Sequence, residues 1–276
     1  MGFHPIHDIM AALDTTYRPC PACDGVNGTP LSAYSPADWS LVTCDTCDFV
    51  YLRDPPAYED LVDDLAFEKT YAAKKAASRG STAWSPVNRA IRSATGTKAR
   101  NRARRYLDWF GGGKVLDIGC GPGRQLPEPI TPYGIELSRA YWAEADAKFR
   151  LRGGYCLHAA GATGIWQFDE GMFDGILMHS YLEHEVEVMT VLTGAFRALK
   201  PGGKAFVRVP NYGSLNRRVI GRKWCGFRHP DHVNYFTTDS LRRVAAKAGF
   251  DMDITNRLTL PVDDNINALL TRPRTN

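Results

Sequence analysis

Lys114-Val-Leu-Asp-Ile-Gly-Cys-Gly-Pro-Gly123 is the stretch that decides the fold of this chain. It begins as a buried strand and continues into glycines, which let a backbone turn sharply and approach a ligand without obstruction by side chains. Asp117 lies near the end of the strand, and Glu136 follows 19 residues later at the end of the next predicted strand. An acidic side chain at that place can accept both hydroxyl hydrogens of a ribose. The stretch therefore predicts a nucleoside site at a strand edge.

Short apolar runs alternate with helical patterns after this stretch, which is typical of a parallel α/β sheet. A helix with apolar residues at three-to-four spacing is predicted from Val188 to Leu199. A last helix is predicted from about Asp239 to Ala248, with Thr238 as its N-cap and Gly249 at its end. The predicted strands are Val115–Ile118, Tyr133–Ile135, Gly154–Leu157, Gly175–Met178, Ala205–Val209, Ile254–Leu258 and Ile266–Thr271.

Two Cys-x-x-Cys pairs precede this region. Cys20 and Cys23 form one pair, Cys44 and Cys47 form the other, and 20 residues separate them. This spacing is close to that of a structural zinc ribbon, in which four thiolates fill the tetrahedral shell and leave no open position for catalysis. We expect residues 1–56 to form a small zinc-binding module with a structural Zn; a pair of redox-active dithiols is the alternative.

The next 54 residues, 57–110, are predicted as a helical linker. One helix is expected at about 58–78 and a second at about 86–110, with a Gly-Ser-Thr break between them. The second helix carries a basic cluster that is expected to be a solvated surface, although it could attract phosphates. Its members are Lys98, Arg100, Arg102, Arg104 and Arg105.

Composition narrows the class of protein. The formal net charge is only +4, without the excess typical of dedicated nucleic-acid binders. The first residues lack a cationic start followed by an apolar run, and no stretch of about 18 apolar residues occurs. These features predict a cytoplasmic protein without a membrane partner; they say nothing of oligomeric state.

Two nucleosides fit the glycine stretch, a dinucleotide and S-adenosylmethionine. The dinucleotide pattern requires a third glycine where this chain has Arg124, and a helix that begins cleanly at the loop to hold a pyrophosphate. Pro127, Pro129 and Pro132 limit the following helix to about one turn. S-adenosylmethionine carries no phosphate, so the sequence favours it; a tight turn without a ligand is the alternative.

Four motifs in order, VLDIGCGPG, YGIELS, FDGILMHSYLEHE and LKPGGKAFVRVPN, resemble the class I S-adenosylmethionine methyltransferases. The resemblance covers residues 111–276 and implies an α/β fold, a Rossmann-like seven-stranded sheet with helices on both faces, behind a small N-terminal zinc-ribbon module. It assigns Asp117, Gly119 and Gly121 to the methionyl part of the cofactor and Glu136 to its ribose. The neighbouring residues expected to complete the cofactor site are Cys120, Leu137 and His179.

The adenine contact departs from the pattern. Many members of the class carry Gly-Asp-Ala there, whereas this chain reads Gly161-Ala162-Thr163. Trp166 or Phe168 is therefore expected to supply a stacking surface.

Protic side chains follow the fourth predicted strand in Met178-His-Ser-Tyr-Leu-Glu-His184. This is the carboxyl edge of the sheet, where open α/β folds bind ligands, so Tyr181, Glu183 and His184 are candidate catalytic residues. The arrangement is similar to that of zinc-module sugar C-methyltransferases, although their further carboxyl-terminal domain is lacking here. It also resembles the Glu-x-x-Glu-His of ubiquinone-pathway O-methyltransferases, which is linked to a divalent metal. Ser180 replaces the first glutamate, so we expect no metal at the catalytic site.

A long segment, 211–236, separates the fifth strand from the last helix. Its aromatic and basic content predicts a lid or acceptor wall, and His232 is the second candidate base; an ordered surface loop is the alternative. We therefore expect a methyltransferase acting at oxygen or carbon of a small molecule, such as a sugar or other hydroxylated metabolite. A zinc-ribbon RNA methyltransferase is the rival, with nucleic acid the less favoured partner, and a cofactor-binding protein without catalysis is a third possibility.

Overall fold

The structure is a computed structural model that describes residues 17–35, 39–55 and 99–274. Its strands are β1 (Gly28–Pro30), β2 (Leu41–Cys44), β3 (Val50–Leu52), β4 (Gly113–Ile118), β5 (Ile130–Glu136), β6 (Cys156–His158), β7 (Phe173–His179), β8 (Leu199–Pro210), β9 (Asn234–Tyr235), β10 (Asp251–Ile254) and β11 (Asn265–Thr271). Its α-helices are α1 (Ala99–Phe110), α2 (Arg139–Arg150), α3 (Gly161–Gly164), α4 (Val188–Ala198), α5 (Leu215–Ile220) and α6 (Thr238–Lys247).

The main sheet has seven strands in the order β10-β11-β8-β7-β4-β5-β6. The five strands from β8 to β6 run parallel, whereas β11 pairs antiparallel with β8 and with β10. The carboxyl ends of β4, β5 and β7 therefore meet at one edge. Because parallel strands present ligand sites at this edge, the topology gathers the predicted site residues there.

Helices cover both faces of this sheet. Val115 and Leu177 pack with Tyr106 and Phe110 of α1 on one face. Their strand neighbours, including Leu116, point the other way into the core formed with α4 and α6. This alternation is the period of two that a strand buried on both faces requires. The predicted Rossmann-like seven-stranded fold is confirmed.

A second, four-stranded sheet has the order β1-β2-β3-β9 and is antiparallel throughout. Three of its strands belong to the cysteine module, which we define as the described residues 17–35 and 39–55. The fourth, β9, belongs to the 211–236 segment. The module thus shares a sheet with the part of the chain that follows β8.

Several predicted element boundaries are wrong, among them those of β10 and α6. The strand expected at Ile254–Leu258 lies at Asp251–Ile254, because the chain turns directly at Gly249 and pairs Asp251 with Thr271. Thr237, not Thr238, caps α6: its hydroxyl accepts a hydrogen bond from the Ser240 amide, and the Ser240 hydroxyl accepts one from the Thr237 amide.

Other sequence predictions meet the structure only in part. The short helix expected after the glycine stretch is not formed, since residues 124–128 have no regular structure. The helix expected at 58–78 and most of the one at 86–110 lie outside the described residues, except for α1. Arg104 and Arg105 of the basic cluster are exposed, as expected of a solvated surface. Within the described ranges, no helix has the length and apolar character needed to cross a membrane.

Candidate active site

One cavity of about 780 Å³ opens at the carboxyl edge of the main sheet. Its volume is within the range of small-molecule sites. The catalytic and cofactor residues predicted from the sequence line it, with the exception of Asp117, Trp166 and Phe168. Those lining residues are Gly119, Cys120, Gly121, Glu136, Leu137, His179, Tyr181, Glu183, His184 and His232.

Glu136 fastens the glycine loop to the end of β5. Its Oε2 accepts the amide hydrogen of Gly121 at 2.7 Å, and its Oε1 accepts that of Ser138 at 2.9 Å. A carboxylate oxygen has two lone pairs and can accept more than one hydrogen bond. A ribose diol requires two such acceptors, and the residues present therefore fit the nucleoside.

Asp117 lies beneath the loop and is 1% exposed. Its Oδ2 accepts a hydrogen bond from Arg124 Nε at 2.9 Å, whereas its buried Oδ1 has no partner among the described residues. Burial raises the pKa of Asp117 to about 6, although the Arg124 charge opposes this shift. Direct contact between Asp117 and the cofactor stays a prediction; in the structure it holds Arg124, which lines the cavity.

Tyr181 packs directly against the glycine loop and α3. A Cβ atom on Gly119 would lie 2.7 Å from the tyrosine ring, and one on Gly161 would lie 2.0 Å from its hydroxyl oxygen. Gly119 also has a φ of +68°, which favours glycine. The hydroxyl donates a short hydrogen bond to Glu185 Oε2. Because both positions are glycines, the segment after β7 can pack closely against the glycine loop.

We call residues 181–185 the Tyr181–Glu185 turn. Ser180 precedes it with a φ of +56°, a left-handed conformation that redirects the chain at the end of β7. Glu183 is 1% exposed, and its Oε2 has no hydrogen-bond partner among the described residues. Burial raises its pKa to about 8, against the opposing charges of Arg208 and Arg228. Glu183 is therefore mainly protonated at neutral pH.

Two histidines from distant segments meet at this cavity. The rings of His184 and His232 lie 4.6 Å apart, edge to face. His184 Nδ1 donates to the carbonyl of Asp231 at 2.7 Å, and His232 Nδ1 donates to that of Gly226 at 2.8 Å. Burial lowers the pKa of both, so both are neutral at neutral pH and Nε2 is the acceptor nitrogen of each. Neutral imidazoles of this kind can accept a proton.

Glu183, His184 and His232 also form a possible metal-binding set. Each offers one ligand atom, and these three atoms lie within 4.8 Å of one another. Two histidines whose Nδ1 groups donate to backbone carbonyls and one carboxylate suit a divalent cation. Ser180 in place of the first glutamate predicts no metal at the catalytic site. His232, distant in sequence, nevertheless completes a set of three donors there.

The 211–236 segment forms one wall of the cavity. Arg228, Asp231 and His232 line it, as expected of an acceptor wall. The aromatic residues of the segment turn away from the cavity and pack on the cysteine module, where Trp224 and Tyr235 join Leu41 in one buried cluster. The wall is thus supported from behind by the module.

Several cavity residues were not predicted from the sequence. Ser138, Tyr141 and Ala159 line the cavity together with Leu137, and Asn265 from the start of β11 also lines it. Ser138 is the last residue of the YGIELS motif and Tyr141 lies three residues after it, so the motif could have indicated both. Nothing in the sequence marks Asn265, because only the antiparallel pairing of β11 with β8 brings it to this edge.

The predicted adenine-stacking residues are wrong. Phe168 is 2% exposed and packs among Tyr133, Tyr155 and Phe173 in the core. Trp166 is 43% exposed and its ring contacts Arg197. Neither residue lines the cavity.

The four cysteines of the module form a compact cluster. Cys20 and Cys47 Sγ atoms lie 3.5 Å apart, as do those of Cys23 and Cys44, and all four sulfurs lie within 4.8 Å of one another. Sulfurs at a zinc–sulfur distance of 2.3 Å in a tetrahedron are about 3.8 Å apart. None of the four forms a disulfide. The donor set and its spacing fit a structural Zn²⁺.

Comparison with known proteins places this fold and cavity in a family. The profile of a methyltransferase domain matches residues 88–253, more than half of the chain. A ubiquinone biosynthesis O-methyltransferase of Cereibacter sphaeroides is 31% identical over 153 residues, which are 51% of this chain and 62% of that relative. One of Bradyrhizobium sp. is 26% identical over 199 residues, 65% of this chain and 78% of that relative.

A crystal structure of a SAM-dependent methyltransferase from Archaeoglobus fulgidus has the same fold. It superposes with a TM-score of 0.50 at 17% identity and covers 62% of this chain and 92% of its own. The fold therefore agrees with the profile that spans the cavity-lining strands β4, β5 and β7. On these grounds the chain belongs to the methyltransferase domain family.

Proposed function

We propose that this protein transfers the methyl group of S-adenosylmethionine to a small hydroxylated molecule, with His184 as the general base. One observation carries the proposal. The glycine loop, Glu136 and two neutral imidazoles line the same cavity. Methyl transfer to a hydroxyl group needs both a nucleoside site and a base that removes the hydroxyl proton.

When bound, S-adenosylmethionine supplies an electrophilic methyl group on a sulfonium. Glu136 would accept hydrogen bonds from the ribose hydroxyls, and the Gly119–Gly121 backbone would allow the methionyl part to approach closely. The transfer is an in-line displacement, so the main task of the protein is to hold the acceptor about 3 Å from the methyl carbon. Leu137 and Tyr141 would line the adenine side.

His184 is the preferred base because it is partly exposed in the cavity, whereas His232 is 4% exposed. The Asp231 carbonyl holds its Nδ1 hydrogen, so Nε2 would take the proton of the acceptor hydroxyl as the new bond forms. His232 packs against this ring and is the second choice. Tyr181 is engaged by Glu185, and its proposed part is to hold the turn against the glycine loop.

The acceptor atom and class belong to the proposal. The relatives named as O-methyltransferases favour oxygen, and removal of a hydroxyl proton is the task that suits a neutral histidine. Methylation of carbon in a sugar or other hydroxylated metabolite would need the same base. The matched part spans only 62% of the first relative, so we assign none of its substrates to this chain.

RNA is the rival acceptor. S-adenosylmethionine with a deuterated methyl group is incubated with the protein and with separate small-molecule and RNA fractions of a cell extract. Mass spectrometry then shows which of the two fractions receives the label. We expect the label in a small molecule. His184→Gln protein that still binds S-adenosylhomocysteine should label it about 100-fold more slowly or less. Label in RNA only, or unchanged labelling by the variant, would contradict the acceptor class or the base, respectively.

A further inference from the structure

A buried arginine joins the cysteine module to the proposed catalytic centre. Arg18 lies two residues before Cys20 and is 7% exposed. Burial lowers its pKa to about 10, so it stays charged at neutral pH. It donates four hydrogen bonds to three segments of the chain: to the carbonyls of Leu52 (3.0 Å), Val186 (3.1 Å) and Val233 (2.6 Å), and to Asn234 Oδ1 (3.0 Å).

Asn234 links Arg18 to the Tyr181–Glu185 turn through hydrogen bonds. Its Nδ2 donates to the carbonyls of Leu182 at 2.7 Å and Glu185 at 2.6 Å. The backbone amides of Val233 and Asn234 both donate to the carbonyl of Glu183, at 2.8 and 3.1 Å. The carbonyls of Leu182, Glu183 and Glu185 are therefore held by Asn234, which belongs to β9, and by the residue before it. Strand β9 is itself paired with β3 of the module.

These contacts indicate that Arg18 does more than fill space in the core. A buried cation costs free energy that an apolar side chain of similar volume would not. Hydrogen bonds offset this cost here, because the planar guanidinium has five donors and can bond to Val186, Val233 and Asn234 at the same time. Arg18 also lies in the field of Glu185, the carboxylate that accepts the Tyr181 hydrogen bond.

We propose that Arg18 and Asn234 are positioning residues through which the zinc-loaded module sets the conformation of the Tyr181–Glu185 turn. The turn's catalytic part rests on the proposed function above. Because Arg18 is two residues from a zinc ligand, loss of the metal would release its guanidinium from Val186 and Asn234. The module therefore controls the conformation of the acceptor side of the cavity. The glycine loop and Glu136 keep their conformation when the metal is lost.

Hydrogen–deuterium exchange of the full chain, read by mass spectrometry, tests this without an acceptor. The variants are Arg18→Gln, which removes the charged donors, and Asn234→Asp, which keeps an acceptor for Arg18 but cannot donate to Leu182 and Glu185. Arg53→Gln is the matched control, because Arg53 is a module arginine whose described hydrogen bonds stay inside the module. Zinc content and affinity for S-adenosylhomocysteine are measured on each protein.

We expect amides 181–188 to exchange about tenfold faster or more in both variants. Asn234→Asp loses hydrogen bonds to the turn itself, and Arg18→Gln loses those to Val186, directly after the turn, and to Asn234. Peptides covering 113–123 and 130–137 should keep their rates, and zinc content and nucleoside affinity should be unchanged. Chelation of zinc from the native chain should speed the same 181–188 amides. The Arg53→Gln protein should exchange like the native one.

Unchanged exchange at 181–188 in a folded, zinc-loaded variant would overturn the coupling and leave the proposed function in place. Faster exchange across the whole sheet would also overturn it, because that pattern indicates general destabilisation. Should Arg18→Gln not fold, Asn234→Asp and the chelated native chain give the same readout. Failure of the native chain to bind S-adenosylhomocysteine would instead reject the proposed function.

Discussion

Glu183 offers a quantitative test of the electrostatics of the catalytic centre. Its carboxyl group is buried with Oε2 unpartnered, and its pKa is raised from 4.5 to about 8. Between these values the folded chain keeps a proton that the unfolded chain has released, so unfolding becomes more favourable as pH rises. The stability lost through this group is about 1.4 kcal/mol per pH unit, about 3 kcal/mol by pH 7 and about 5 kcal/mol above pH 8.

Substitution Glu183→Gln removes this titration while it keeps the size of the side chain. Urea unfolding of native and Glu183→Gln protein from pH 5 to 7.5 isolates the effect, because other groups cancel in the difference. We expect native stability to fall relative to the variant at close to the slope above. The Glu144→Gln protein, in which an exposed glutamate of α2 is replaced, is the control. A flat difference for Glu183→Gln would refute the account of burial, and a difference of opposite sign would show that the carboxylate is stabilised as an anion.

Three further predictions concern the same cavity. Gly161→Ala should destabilise the fold by about 3 kcal/mol, since its Cβ would meet the Tyr181 hydroxyl and break the bond to Glu185, and thermal unfolding measures this. His184→Gln should lower turnover about 100-fold or more. Because burial lowers the pKa of His184, native turnover should decline only below pH 6.5, and a decline centred above that pH would point to another group. Chelation of free divalent ions should leave turnover unchanged while the module keeps its zinc; stimulation by Mg²⁺ or Mn²⁺ would assign Glu183, His184 and His232 as metal ligands.

The fold was predictable because the glycine stretch and the strand periodicity are local signals. Lys114–Gly123 fixes β4 and the loop, and the 19-residue spacing to Glu136 fixes the next strand. The zinc-ligand pattern is equally local, and the four sulfurs meet as the Cys-x-x-Cys spacing predicts. Errors at Thr237 and Asp251 are shifts of one to three residues, where hydrogen bonding and strand register decide the boundary.

The rest of the site depends on contacts between residues far apart in sequence. No local pattern shows that His232 lies against His184, 48 positions earlier, or that Arg18 reaches Val186 and Asn234. The aromatic and basic content of the 211–236 segment predicts a lid or acceptor wall, yet Trp224 and Tyr235 pack on the module. Aromatic content alone does not distinguish a cavity wall from the back of that wall.

Titration calorimetry with S-adenosylhomocysteine tests the central claim most directly. The zinc-loaded native chain should bind one molecule, and Glu136→Ala should weaken this binding about 100-fold or more, because it removes the charged acceptor proposed for the ribose diol. Absence of heat with the native chain, or equal affinity in the folded variant, would contradict the assignment of this cavity to a sulfonium nucleoside.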